Sequence, residues 1–229
     1  MAKKSHWKSS KFFYDPRTIF VLGSSFFTPV QTSSLCYNLF MNKKQFVKKI
    51  KPHILRCRPG DWEHAKRVAK WTEILGVDRD DLLLLLTSTY IHDIGWRDVV
   101  DKEKLTFKKL LKFEPQANKN SEIFIKEVLK KLDYSYIDIK TILRLVKAVD
   151  KHKASQEDEA VIVDSDGLSK LDINHLKEKY KTDKWMNMYN LWNSKFPNRI
   201  QTDEAKKLYP SLLCKLKSDI AKEQKHCSQ

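Results

Sequence analysis

The chain has 229 residues, 41% of them hydrophobic, and sets 44 Lys and Arg against 29 Asp and Glu for a formal charge of +15; this is enough for one substantial core, and the balance favours anionic partners such as nucleotides, nucleic acid or an acidic surface. Only 5 Gly and 7 Pro, with a single Asp-Gly and almost no hairpin signals, exclude a turn-rich β architecture and point to an all-α protein. Cys36, Cys57, Cys214 and Cys227 show neither Cys-x-x-Cys spacing nor a framework, which excludes a disulfide scaffold or zinc knuckle and makes a reducing, cytoplasmic compartment the expectation.

Residues 1–40 are rich in Ser, Lys and aromatics and contain one acid, Asp15. Their apolar patch, TIFVLGSSFF, is too short to span a bilayer, and no small-residue cleavage box follows it. Met41 then opens MNKKQFVKKIKPHIL, an ordinary basic amphipathic start. Residues 1–40 are therefore expected to be a poorly ordered extension, or a stretch upstream of the true start. Residues 41–229 are expected to form the folded domain, with no transmembrane segment.

Phe46, Ile50 and Ile54 recur at four-residue intervals, which predicts a helix over 42–55 with one buried face. The basic run from Lys43 to Arg58 contains no acid, but aromatics are not interleaved with its charges, so it reads as a solvated face in preference to a nucleic-acid surface. Pro59 and Gly60 end this helix, and Asp61 is placed to cap the next, 62 to about 75, whose stripe of His64, Val68, Trp71 and Leu75 turns His64 toward the core. Gly76 closes it, and VDRDD opens another helix with acids in its first turn. LLLLLTSTYIHD is apolar on every side for more than a turn, so this helix runs through the centre and ends at His92 and Asp93.

Further helices are predicted at 102–113, 119–132 and 135–152, the last burying Ile139, Ile142, Leu143, Val146 and Val149 and ending with His152. The segment EAVIVDSDGLSKL carries Asp164 and Asp166 ahead of a renewed helical pattern, and helices at 173–193 and 202–222 close the bundle.

Burying an aspartate is costly unless a cation or hydrogen bonds compensate it, so the His-Asp pair at the end of an apolar helix marks either a structural hydrogen bond or a metal. Taken with His64 and the DSDGL aspartates, the donors are all imidazole or carboxylate, compatible with Mn, Fe, Co, Ni, Zn or Mg.

The order H…HD…D, carried by DWEHAKRVAKWTEILGVDRDDLLLLLTSTYIHDIGW, KAVDKHK and EAVIVDSDGLSKL, resembles the HD-domain superfamily of metal-dependent phosphohydrolases over most of 45–222. The resemblance implies an HD-type helical bundle in which His64, His92, Asp93 and the last aspartate hold a divalent metal. The family's spacing selects Asp166 as that ligand, with Asp164 the alternative. No histidine occurs between 94 and 151, where two-metal members carry extra ones, so one metal ion is expected. Trp96 stands where some nucleotidases of the family place a Glu.

The chemistry implied is hydrolysis of a small phosphorylated substrate, a nucleotide before others, with Asp93 or Asp164 taking the water proton. Arg67, Lys151, His152 and Lys153 are the side chains expected to meet the phosphate. A nucleotide- or nucleic-acid-binding protein with a structural or regulatory metal site is the alternative.

Overall fold

Helices account for most of the described residues, which in this computed structural model are 43–100 and 107–226; the expectations for 1–40 and for a helix beginning at 102 lie outside them. The α-helices are α1 (Lys43–Ile54), α2 (Asp61–Leu75), α3 (Leu82–Ile91), α4 (Phe107–Lys130), α5 (Tyr136–Lys151), α6 (Glu157–Ser169), α7 (Ile173–Lys179), α8 (Trp185–Lys195) and α9 (Asp203–His226). Short 3-10 turns lie at Ile94–Trp96, Thr182–Lys184 and Phe196–Asn198, and no strand occurs among the described residues. The all-α expectation holds. No helix among the described residues is long and apolar enough to cross a membrane.

The centre is built from α2, α3, α5 and α6. Helix α2 packs on α3 and α6, α3 on α5 and α6, and α5 on α6. The leucine run does lead into the centre, but the buried part of α3 is its second half, Leu85 to Ile91. Three hydroxyls enter the core there without remaining unsatisfied. Ser88 Oγ and Thr89 Oγ1 donate to the Leu84 and Leu85 carbonyls, and Thr87 Oγ1 pairs with the Tyr134 hydroxyl. One apolar cluster, around Ile54, Ile91, Ile125 and Ile142, lies to one side of these helices; another, around Leu168, Leu176, Trp192 and Leu216, lies to the other.

Four local expectations are corrected. The helices predicted at 102–113 and 119–132 are one, since α4 runs through Pro115. Tertiary packing decides this: the far side of α4 lies directly against the 3-10 turn, where a Cβ on Gly95 would collide with the Ala117 carbonyl and the Ser121 hydroxyl. The helix predicted at 173–193 is broken at Tyr180, which is extended (φ −130°, ψ 153°), and restarts as α8 after the turn at 182. The segment 157–169 is itself a helix, with ten buried residues among its thirteen. Gly60, in a left-handed conformation (φ 76°), precedes α2, and Asp61 is drawn into a fully buried ion network instead of capping the helix.

Candidate metal centre

Three central helices each deliver part of one site. His64 comes from the first turn of α2, His92 from the C-terminus of α3 with Asp93 following it, and Asp166 from the third turn of α6. His64, His92 and Asp166 are only 3%, 5% and 4% exposed. Nε2 of His92 lies 3.3 Å from Nε2 of His64, and Asp166 Oδ1 lies 3.1 Å from His64 Nε2 and 4.0 Å from His92 Nε2. Ligand atoms of His64, His92 and Asp93 all fall within 4.8 Å of one another.

The surrounding hydrogen bonds fix the tautomers. Nδ1 of His92 donates to the Thr89 carbonyl at 2.7 Å, so that nitrogen carries the proton and Nε2 presents a lone pair. Ser169 Oγ donates to the Asp166 carbonyl at 2.7 Å, which leaves it to accept from His64 Nδ1 at 3.3 Å. With Nδ1 so engaged, His64 Nε2 faces Asp166 Oδ1 at 3.1 Å, as a lone pair when a cation lies between them and as an N–H donor when none does. Burial keeps the His64 imidazole neutral by lowering its pKa to about 3. Asp93 Oδ2 is buried, 3.5 Å from His92 Nε2, and accepts no hydrogen bond. The His92 Nε2 lone pair and the unpartnered Asp93 oxygen converge on this point with no proton between them, and they repel one another unless a cation lies among them. The residues fit a divalent metal on that ground, and the His-His-Asp group can hold one.

Cations behind the group keep its carboxylates charged. Arg58 Nη2 lies 2.7 Å from Asp93 Oδ1, and the same guanidinium reaches Asp61, which also pairs with Lys179. Burial pushes the Asp93 carboxyl up, but Arg58, the two imidazoles and Lys179 together outweigh it and hold the group below the usual carboxylate range. Asp166, likewise opposed by burial, is held low by Lys170, 2.6 Å from its Oδ2, and by His64. The Arg58 guanidinium stacks over Trp96 at 4.1 Å, which gives the tryptophan after the doublet a packing role in steadying Arg58.

A family model for the HD domain matches residues 61–177, about half of the chain. The chain belongs to the HD domain family. No curated protein and no solved structure matches it. HD domains are metal-dependent hydrolases as a rule, and the family match covers every residue of the His-His-Asp group and Asp166.

His64, His92, Asp93 and Asp166 lie in the wall of a cavity of about 480 Å³, which extends past the matched segment to Tyr180, Trp192, Lys195 and Arg199. His152 lines this cavity as the sequence suggested, and burial lowers its pKa to about 4. The other expected phosphate contacts are placed elsewhere. Arg67 is committed to Glu178 through parallel hydrogen bonds of 3.0 and 2.6 Å, and Lys151 and Lys153 are exposed side chains outside the cavity lining.

Asp164, the expected proton acceptor, is engaged away from the imidazoles. Its carboxylate accepts from the backbone N–H groups of Gln201 and Thr202, at 2.7 to 3.1 Å, and from the Thr202 hydroxyl at 2.7 Å. Two residues apart on α6, Asp164 and Asp166 point to different sides. Asp164→Asn should therefore cost about 2 kcal/mol of stability through the lost charged acceptor while leaving metal occupancy intact. Asp166→Asn should lower metal occupancy. Paired calorimetry and elemental analysis on the two variants check this.

Asp150 was not singled out from the sequence. It lines the cavity from the end of α5, and burial pushes its carboxyl up to about 7 from 3.8, against a smaller downward pull from His92. As pH falls, the folded state takes up this proton before the unfolded state does, so the ionised carboxylate costs stability above about pH 7 and the cost fades toward pH 4. In metal-free protein, Asp150→Asn should raise the melting temperature at pH 8, with an upper bound of about 4 kcal/mol, and change it little at pH 4. An unchanged Tm at both pH values would contradict this.

Proposed function

We propose that the protein is a metal-dependent phosphohydrolase that holds one divalent ion and acts on a small phosphorylated metabolite, with a nucleotide as the best fit. One observation carries this reading: the Nε2 atoms of two imidazoles and an unpartnered Asp93 oxygen face one another in the wall of a cavity sized for a small molecule. Aromatic surface from Tyr180 and Trp192 in the same cavity suits a planar base, and the chain's charge of +15 favours an anionic substrate.

An ion bound there would supply Lewis acidity to a phosphoryl oxygen and to the attacking water. The chain's own residues supply the rest. Arg58 fixes Asp93 Oδ1 and leaves Oδ2 as the single open oxygen, which favours ligation over proton transfer for Asp93. Asp150 faces the cavity with a carboxyl that burial raises to about 7 in metal-free protein, which makes it the candidate to protonate the alkoxide oxygen released when the P–O ester bond breaks. The nucleic-acid reading is weakened because several cations of the basic run are engaged within the domain. Lys43 pairs with Glu73, Arg56 with Asp98 and Arg58 with Asp61 and Asp93, while Lys51 lies over Trp62.

The test is phosphate release from a panel of nucleoside mono-, di- and triphosphates and non-nucleotide phosphomonoesters, run separately with Mg, Mn, Co, Ni and Zn. Release that requires metal and prefers nucleotides is expected. No release by protein shown to carry metal would refute the enzymatic reading, and preference for a non-nucleotide ester would refute the substrate assignment.

A further inference from the structure

The charges around the cavity can be sorted by what they already neutralise. Arg58 and Lys179 are matched by Asp61 and Asp93, and Lys170 is matched by Asp166. Arg199 and Lys195 also line the cavity, yet the side chain of neither makes an ion pair or hydrogen bond among the described residues. Both lie beyond residue 177, where the family match ends.

Their placement is built into the fold. Arg199 follows the 3-10 turn Phe196–Asn198, and that turn is anchored on both sides. Phe196 is buried and stacks on Trp192 with ring centroids 6.1 Å apart, while Asp164 holds the N–H groups of Gln201 and Thr202 just beyond. The two aspartates of DSDGL thus serve one end of the cavity from opposite sides of α6. Asp166 stands with the imidazoles, and Asp164 fastens the loop that carries Arg199.

Arg199 shares a small recess with Asp166, Lys170 and His152. Asp164 also borders the recess, but its oxygens are taken by backbone and hydroxyl donors. Lys170 and Arg199 together bring two positive charges to the one remaining carboxylate. The excess charge lies beside the metal-binding group, where a phosphoryl oxygen would be turned over. Arginine's planar fork is suited to two oxygens of one phosphate.

We propose that Arg199, assisted by Lys195 and His152, is the phosphate-binding grip of this protein, a site whose two cations come from the segment outside the HD match and which takes the dianionic end of a phosphomonoester. This deepens the phosphohydrolase reading and rests on it. Binding and turnover are measured separately, however, so the two can fail independently.

The test uses full-length, metal-loaded protein and inorganic phosphate as the probe, with affinity read by calorimetry. Wild type should bind phosphate. Arg199→Gln should weaken that binding about 10- to 100-fold, as expected for losing a charge-assisted contact, with metal content unchanged. Arg199→Lys should recover part of the affinity, and Lys195→Gln should give a smaller loss. Lys207→Gln, an exposed change on α9, should have no effect. For any phosphomonoester the protein hydrolyses, Arg199→Gln should raise KM far more than it lowers kcat. Phosphate bound by Arg199→Gln as tightly as by wild type, or no phosphate binding to metal-loaded wild type, overturns the proposal. Phosphate binding that depends on Arg199 without turnover of any ester would retain the grip and reject only the hydrolase.

Discussion

His64→Ala and His92→Ala should each release the divalent ion and reduce phosphohydrolase activity by about a thousandfold or more, the scale set by losing several kcal/mol of transition-state stabilisation. Both side chains present Nε2 lone pairs to the same point, and each is held in that tautomer from behind, by the Thr89 carbonyl for His92 and by Ser169 for His64. Alanine removes a ligand without introducing a new charge, and the folded domain should persist, since the His64 ring is flanked by His92 and by His175, which itself packs on Trp192. Elemental analysis alongside circular dichroism reads the two effects separately. Undiminished metal content in either variant would remove that histidine from the ligand set. Two ions per wild-type chain would contradict the single-metal reading.

The second large effect is expected at a residue that is not a ligand. Arg58 stands between two buried carboxylates, with only 14% of its side chain exposed, and also lies over the Trp96 ring. Arg58→Met keeps apolar bulk and removes the charge, leaving Asp93 without its partner on Oδ1 and Asp61 with Lys179 as its remaining cation and the backbone N–H of residue 58 as a second donor. Breaking a buried pair in this way costs about 3–5 kcal/mol. The loss should be greatest in chelator-treated protein, because a bound cation would itself compensate Asp93. Thermal unfolding with and without metal measures the difference; an equal fall in Tm under both conditions would contradict the coupling between Arg58 and the site.

Much of this centre was legible in the sequence because its parts sit on periodic helices. His64 belongs to a stripe whose other members are apolar, and His92 and Asp93 end a helix too apolar for any place but the core, so their direction followed from helical spacing. The choice of Asp166 over Asp164 depended on family spacing, and the structure explains it by the angle between positions two apart on α6. What could not be read was long-range pairing. Arg67 falls one turn from His64 and looked available for substrate, but Glu178, 111 positions away, occupies it. Arg58 looked like one more cation in a basic run, and its burial between Asp61 and Asp93 depends on how the loop before α2 folds back. The acidic wall at Asp150 and the cations at Lys195 and Arg199 carry no local pattern at all, since their roles come from which helices surround the cavity. The one signal for the break at 180 was the cluster Lys181, Thr182 and Asp183, polar residues where a continuous buried stripe would have needed apolar ones.

Gly95 shows how this arrangement constrains change over evolutionary time. The residue is absent from the cavity lining and carries no side chain, yet hydrogen is the only substituent its position admits against the Ala117 carbonyl and the Ser121 hydroxyl. A single added methyl group would push α4 away from the segment bearing the doublet, and with it the cavity wall that Leu110 and Glu114 supply. A survey of random variants scored by activity would rank position 95 with the ligands themselves, although nothing reactive is attached to it. The mutational fragility of this centre therefore extends beyond its chemistry, to a place where two stretches of backbone have been brought as close as atoms allow.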